Sequence, residues 1–232
     1  IPPLAEAGLT GAATSAPVRS QPMAHPSAPG TVVLHGVRLK GFAETDVLAE
    51  STGLDDVTVI RALEDFAAEG LVTRKQGVAV SGWVLTPQGR AEHEKRLADE
   101  LDAAGARADI EVLYTRFTEL NPDLLQVCTD WQLRDGAVND HTDGAYDAEV
   151  VSRLSGLHEQ AVPVVAALAA TMDRFGGYGA RLQWAVDHVR CGDGAWFDKP
   201  LTDSYHTVWF ELHEDLLASL GLARATETGG AA

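Results

Sequence analysis

The chain has 232 residues, 45% of them hydrophobic and 22% charged, and carries a formal net charge of −16. That length holds one large or two small domains with a real core, while the charge opposes non-specific binding to a polyanion. No apolar run approaches the roughly 18 residues of a membrane span, and the N-terminus lacks a basic-then-apolar leader. Two cysteines, Cys128 and Cys191, make neither a disulfide framework nor a metal cluster, and both read as buried, inert thiols, as in a cytoplasmic protein. Ile1 in place of an initiator Met is what a fragment of a longer protein would show.

Residues 1–30 are rich in Ala, Pro, Gly and Ser without a sustained period, which predicts a disordered arm or linker. Val33, Leu34 and Val37 predict a short helix over Val32–Lys40, stopped by Gly41. A second helix is predicted over Glu44–Ser51, with Gly53 as the following turn. A third spans residues 54–69, capped by Asp55 or Asp56, with Val59, Ile60, Leu63, Phe66 and Ala67 on one face and Glu69-Gly70 at its end. Leu71–Thr73 and Val78–Leu85 read as strands around the turn Arg74-Lys75-Gln76-Gly77, a hairpin within residues 71–85. Thr86 as N-cap and Pro87 at the first helical position open a charged helix to about Ala104, with Leu97 and Leu101 as its apolar seam.

Beyond Gly105 every segment reads helical. Ile110 to Leu120 mark one helix, broken by Asn121-Pro122, and Leu124 to Leu133 mark the next. A polar loop, Arg134–Gly144, leads to a long helix over Tyr146–Phe175 with a kink position at Pro163. Gly176-Gly177 is expected to turn the chain into a helix over Ala180–Val189. The last helix, Pro200–Leu220, is apolar around most of its circumference, the mark of the middle of a bundle. The organisation expected is an arm at 1–30, a first domain at 31–104, a helical bundle at 105–222 and a flexible tail at 223–232.

Gly53-Leu54, Glu69-Gly70-Leu71-Val72 and Leu85-Thr86-Pro87-Gln88-Gly89-Arg90 resemble winged-helix regulators of the multiple-antibiotic-resistance-regulator (MarR-like) type. The resemblance implies a mainly α fold, a winged helix-turn-helix with a small β-hairpin wing ahead of the bundle. It also implies a transcriptional regulator that places its third helix in the major groove and its wing on phosphates. By position, Thr58 and Arg61 would face bases, Arg74, Lys75 and Gln76 would form the wing tip, and Arg90 lies nearby. In this family the helix after the wing feeds a dimer interface, so a homodimer is expected. Asn139-Asp140-His141, Trp131-Gln132-Leu133-Arg134 and the stretch Asp203 to Glu214 resemble an actinobacterial helical domain found beside phosphoenolpyruvate-utilising, dikinase-like sequences. That resemblance implies an alternative, a module regulating a fused or partner phosphotransfer enzyme without touching DNA.

Charge counting divides these options. Residues 31–104 hold 8 basic against 13 acidic side chains, a balance of −5, and residues 105–232 hold 9 against 20, a balance of −11. The third helix offers Asp55, Asp56, Glu64 and Asp65 against Arg61 alone, whereas Leu71–Arg90 has three cations and no acid.

Chemistry beyond binding is sparse, and neither an enzyme nor a cofactor is expected. Trp131, Tyr205, His206, Trp209 and His213 are the candidate lining of an effector pocket, weighed against plain core packing. His206 and His213 lie two turns apart with Phe210 and Leu217 on one helix face. Joined by Glu214, or by Asp140 and His141, they would form a metal site, but the spacing of seven is poor and buried, hydrogen-bonded histidines are the preferred reading. Ser204 near His206 lacks a nucleophile elbow and reads with Asp203 as a helix cap. Gly176-Gly177-Tyr178-Gly179 reads as a turn between helices, not a phosphate loop.

Overall fold

Pro29, whose missing N–H costs nothing in a first turn, opens helix α1 (Pro29–Lys40), and Gly41 caps it. The computed structural model describes residues 24–76, 81–200 and 202–222. Helix α2 (Thr45–Thr52) follows, then α3 (Asp56–Ala68), whose N-cap Asp55 accepts the Thr58 amide at 2.9 Å. Gly70 takes the left-handed conformation (φ +75°) that lets the chain leave α3 sharply into strand β1 (Val72–Gln76). Strand β2 (Ser81–Leu85) pairs antiparallel with β1, from Val72 opposite Leu85 to Gln76 opposite Ser81. Ala43 adds a bridge to Trp83 from the α1–α2 connection. Val33, Leu34, Val37, Leu48, Val59, Leu63, Phe66, Leu71 and Val72 form one buried apolar cluster beneath these elements.

Thr86 caps α4 (Pro87–Ala104) by accepting the Gly89 amide at 2.9 Å. Helices α5 (Arg107–Gln132), α6 (Gly144–Thr171), α7 (Gly176–Arg190), α8 (Ala195–Asp198) and α9 (Tyr205–Leu220) build a second, larger cluster around Phe117, Leu154, Leu168, Phe175, Phe197 and Leu212. Helix α9 is the centre. It packs against α1, α4, α5, α7 and α8, in keeping with its mostly apolar circumference.

Several sequence expectations are corrected. The arm does not run to residue 30: α1 begins at Pro29, and His25 pairs with Met172, its N–H donating to the Thr171 carbonyl at 3.0 Å. Residues 1–23, 201 and 223–232, and residues 77–80 of the expected wing, lie outside the described residues. Asn121-Pro122 does not break α5. Interior proline costs about 3 kcal/mol, but buried Phe117, Leu124 and Val127 on both sides are each worth ~1.5–3 kcal/mol. Trp209 Nε1 also donates to Asn121 Oδ1 at 3.1 Å. Gly176-Gly177 is the first turn of α7 rather than a link. The reversal falls instead at extended Met172 and a 3-10 turn, Asp173–Phe175, where the His25 pairing holds the chain. The last helix starts at Tyr205, not Pro200, with α8 a separate turn. Ser204 is its cap, while Asp203 accepts from Arg181 instead. Cys128 is buried, and burial pushes its thiol up to about 12, but Cys191 is exposed at the end of α7.

Gly89 carries the tightest constraint in the fold. A Cβ there would lie 1.8 Å from the Leu71 carbonyl oxygen, because α4 crosses the start of β1 with no room for a side chain. Gly89→Ala is therefore expected to cost about 3 kcal/mol in urea unfolding, against about 1 kcal/mol for removing the cap with Thr86→Ala. The close approach is refuted if Gly89→Ala proves the milder of the two.

Candidate functional site

The surface expected to meet DNA is built from α3, α2 and the hairpin. Thr58 is committed to capping, its hydroxyl donating to Asp55 Oδ2 at 2.7 Å. Arg61 is exposed on α3, beside exposed Asp56, Glu64 and Asp65. The same helix exposes two aliphatic side chains, Val57 at 69% and Ile60 at 45%. On β1, Arg74, Lys75 and Gln76 are exposed. Arg74 leans over the Trp83 ring and shares a cleft of about 280 Å³ with Glu44, Asp46, Thr45, Ser81 and Trp83. Arg90 is exposed in the first turn of α4. Arg74 thus shares its cleft with Glu44 and Asp46, and Arg61 shares its helix with Asp56, Glu64 and Asp65.

Of the expected effector lining, Tyr205, Trp209 and His213 are buried, while Trp131 and His206 are partly buried. Trp131 stacks on Phe197 at 4.4 Å, Trp209 stacks on Phe117 at 4.3 Å, and Tyr205, fully buried, reaches His158 at 3.4 Å. His213 is buried against Tyr114 and Phe117, while His206 is only partly buried and Phe210 is exposed. The metal candidates are dispersed: Glu214 lies 3.6 Å from Arg38, His141 pairs with Asp147 at 3.0 Å, and Asp140 accepts from Thr142. Among the described residues no group of three or more His, Cys, Asp or Glu is placed to hold a metal ion.

What sequence reasoning missed is a buried polar joint between the two clusters. His35 on α1 and His93 on α4 stack with ring planes 8° apart and share a 2.8 Å contact from Nδ1 to Nε2. His35 Nε2 lies 3.1 Å from Asp215 Oδ1 of α9, off the axis a hydrogen bond needs. Asp215 is held by the Arg174 guanidinium and by the Tyr178 hydroxyl at 3.0 Å. Arg174 also pairs with Glu100 of α4 at 3.1 Å and donates to Ser219. Beside it Glu211 of α9 bridges Lys40 of α1 and Arg181 of α7. His35, Arg174, Tyr178, Asp215, Glu211, Lys40 and Arg181 line a cavity of about 520 Å³ with Gly36, Ser51 and Thr52. Burial alone would raise the Asp215 pKa, but Arg174 and His35 outweigh it and hold the carboxyl well below the usual carboxylate range. Burial, then the neighbouring His35, drives His93 down to about 3. A histidine inside each apolar helix seam, His35 and His93, was the only signal in the sequence.

No family model matches this sequence, and no curated protein or solved structure is significantly similar to it. No helix among the described residues is long and apolar enough to cross a membrane.

Two outcomes follow from the joint. Arg174→Met leaves the buried carboxylates of Asp215 and Glu100 uncompensated and is expected to cost about 3–5 kcal/mol, part of it recovered in the double variant Arg174→Met, Asp215→Leu, which removes one of the two. Equal instability of single and double variants in urea titrations would show that the pair is not the source. The second outcome concerns pH. The folded state holds His93 neutral down to about pH 3, whereas unfolded His93 takes its proton near 6.5. Its contribution is fully present above about pH 6.5 and is lost as pH falls toward about 3, by up to roughly 1.4 kcal/mol per unit. Asp215 loses its contribution only below about pH 3.9, where the unfolded carboxyl protonates. His93→Gln should therefore flatten the fall in urea midpoint between about pH 6.5 and about pH 4.5, and an unchanged slope would assign the acid sensitivity elsewhere.

Proposed function

We propose that residues 29–104 are a winged helix of the MarR-like regulator type that works as a protein-docking module, regulating a fused or partner phosphotransfer enzyme of the phosphoenolpyruvate-utilising, dikinase-like class. The order of three helices, a hairpin and a Thr-Pro-capped helix supports the winged-helix assignment. One observation carries the choice of partner. The outer face of α3 presents Val57 and Ile60 framed by Asp56, Glu64 and Asp65, and the wing's Arg74 shares its cleft with Glu44 and Asp46. Phosphates approaching that surface meet more carboxylates than cations, which removes the term that supplies most non-specific DNA affinity. Exposed aliphatic side chains inside a charged rim suit a protein interface instead.

The second reading, a cytoplasmic transcriptional regulator acting as a homodimer on DNA, is favoured by Arg61, Lys75 and Arg90. All three are exposed and make no ion pair among the described residues. Dimerisation through α4 would have to use a face carrying Glu94, Lys95 and Asp99, since His93, Leu97 and Leu101 are turned inward.

Fluorescence anisotropy with mixed-sequence duplexes at about 50 mM salt separates the two. The docking module is expected to give no salt-dependent binding, while a photo-crosslinker replacing Ile60 should couple to the phosphotransfer enzyme. Binding that weakens steeply with salt and drops with Lys75→Ala plus Arg61→Ala would instead establish the DNA-binding regulator.

A further inference from the structure

Four tryptophans fall after residue 130; Trp184 on α7 lies outside both core clusters, and Trp196 on α8, partly buried against the larger one, still lines the surface beside it. Trp184 is 60% exposed, the most open aromatic side chain among the described residues. Its ring stands at 75° to that of Trp196, with centroids 6.5 Å apart, so the two indoles form a corner. His188 braces the corner, stacked on Trp196 at 4.4 Å and abutting Trp184 at 4.9 Å. Both indoles line an open groove of about 730 Å³ with Val47, Glu50 and Ser51 of α2, and with Lys40, Ala180, Arg181 and Asp203.

The charges in this groove do not cancel. Lys40 is paired with Glu211, and Arg181 is bound by Asp203 at 2.7 Å and by Glu211 at 2.7 Å. Two cations are thereby matched by two carboxylates. Glu50 is left over, an exposed carboxylate with no hydrogen bond or ion pair among the described residues. Indole faces attract cations through the ring quadrupole when the charge lies within about 6 Å of the centroid, and two perpendicular faces do so together. An uncompensated carboxylate in the same groove adds the charge term. An anion has no free cation to meet here, and a neutral apolar ligand gains nothing from Glu50.

We propose that the Trp184–Trp196 corner, with Glu50, is a binding site for an alkylammonium group. The site is distinct from the α3 surface, and its test does not depend on the docking role proposed above. Two sources carry this group, a free small quaternary amine and a lysine side chain of a partner, and the experiment has an arm for each.

The full chain is titrated by calorimetry with tetramethylammonium, with choline, with 3,3-dimethylbutanol (the uncharged isostere of choline), and with a short lysine-containing peptide beside its acetyl-lysine version. Indole N–H resonances of the 15N-labelled protein are followed in parallel. The site requires choline to bind at least about fivefold tighter than its neutral isostere, with the Trp184 and Trp196 indole signals shifting together. Trp184→Ala and Glu50→Gln should each weaken binding at least about fivefold, and Glu119→Gln on distant α5 should not. Circular dichroism of Trp184→Ala, an exposed position, checks that the fold is intact. Tight lysine-peptide binding that acetylation abolishes identifies a partner's side chain as the source, and binding of the free amines alone identifies a small ligand. Equal binding of choline and its isostere, or shifts confined to other tryptophans, overturns the proposal, as does loss of binding with Glu119→Gln.

Discussion

A guanidinium with 2% of its side chain exposed, facing a carboxylate equally buried, is the constraint on which the arrangement of this molecule turns. Removing two charges from water costs several kcal/mol each, so the pair is tolerable only where every remaining donor and acceptor is met. Arg174 meets that demand by reaching Glu100 and Ser219 as well as Asp215, and Asp215 by accepting from Tyr178. The partners come from α4, α7, α9 and the 3-10 turn, with His35 adding α1. Sliding any one of these elements leaves a buried charge unmatched. Apolar packing of α1 and α4 on α9 would hold at many small offsets; the polar joint selects one.

The same joint explains why the N-terminal elements do not behave as an appendage on a linker. His25 pairs with Met172, two residues before Arg174, and the Ser27 amide donates to Asp173 Oδ1 at 2.9 Å, so the entry to α1 is tied to the turn that supplies the guanidinium. Helix α4 then runs from the first apolar cluster into the second, contributing His93 and Glu100 to the joint and Leu101 to the larger core. Two cores are joined by one helix, one strap and one charge network. Domain movement about such a joint requires breaking buried hydrogen bonds together, which makes it a two-state element rather than a soft hinge.

Local chemistry was legible where a residue acts on its own neighbours. Asp55, Thr86, Gly70 and Gly41 do in the structure what their residue types dictate, because caps and left-handed stops need only the backbone beside them. Asp135-Gly136 carried the same kind of signal. Both take positive φ and turn a two-residue ladder between β3 (Leu133–Arg134) and β4 (Ala137–Val138), inside what reads as a polar loop. Pro122 and Gly176-Gly177 misled, since each marks a break by propensity while contacts far along the chain decided otherwise. The aromatic residues could be counted but not sorted: nothing local separates Trp209, stacked on Phe117, from Trp184, open on a groove. The joint was the least visible, because His35, His93, Arg174 and Asp215 are isolated polar residues far apart in sequence.

Placing the open aromatic corner and the buried joint side by side gives the groove a mechanical position. Lys40, Glu50, Ser51 and Arg181 line both the groove beside Trp184 and the cavity that holds Asp215. Glu211 links the two regions, since it holds Lys40 and Arg181 from the cavity side. A cation seated at the corner would draw Glu50 toward it, away from the cavity that Glu50 also lines. Helix α2 carries both Glu50 and Asp46, an acid in the cleft of Arg74, and so joins the groove to the hairpin surface. Coupling of this kind needs a ligand to bind two arrangements of α2 unequally, and the placement of Glu50 is the contact that would differ between them.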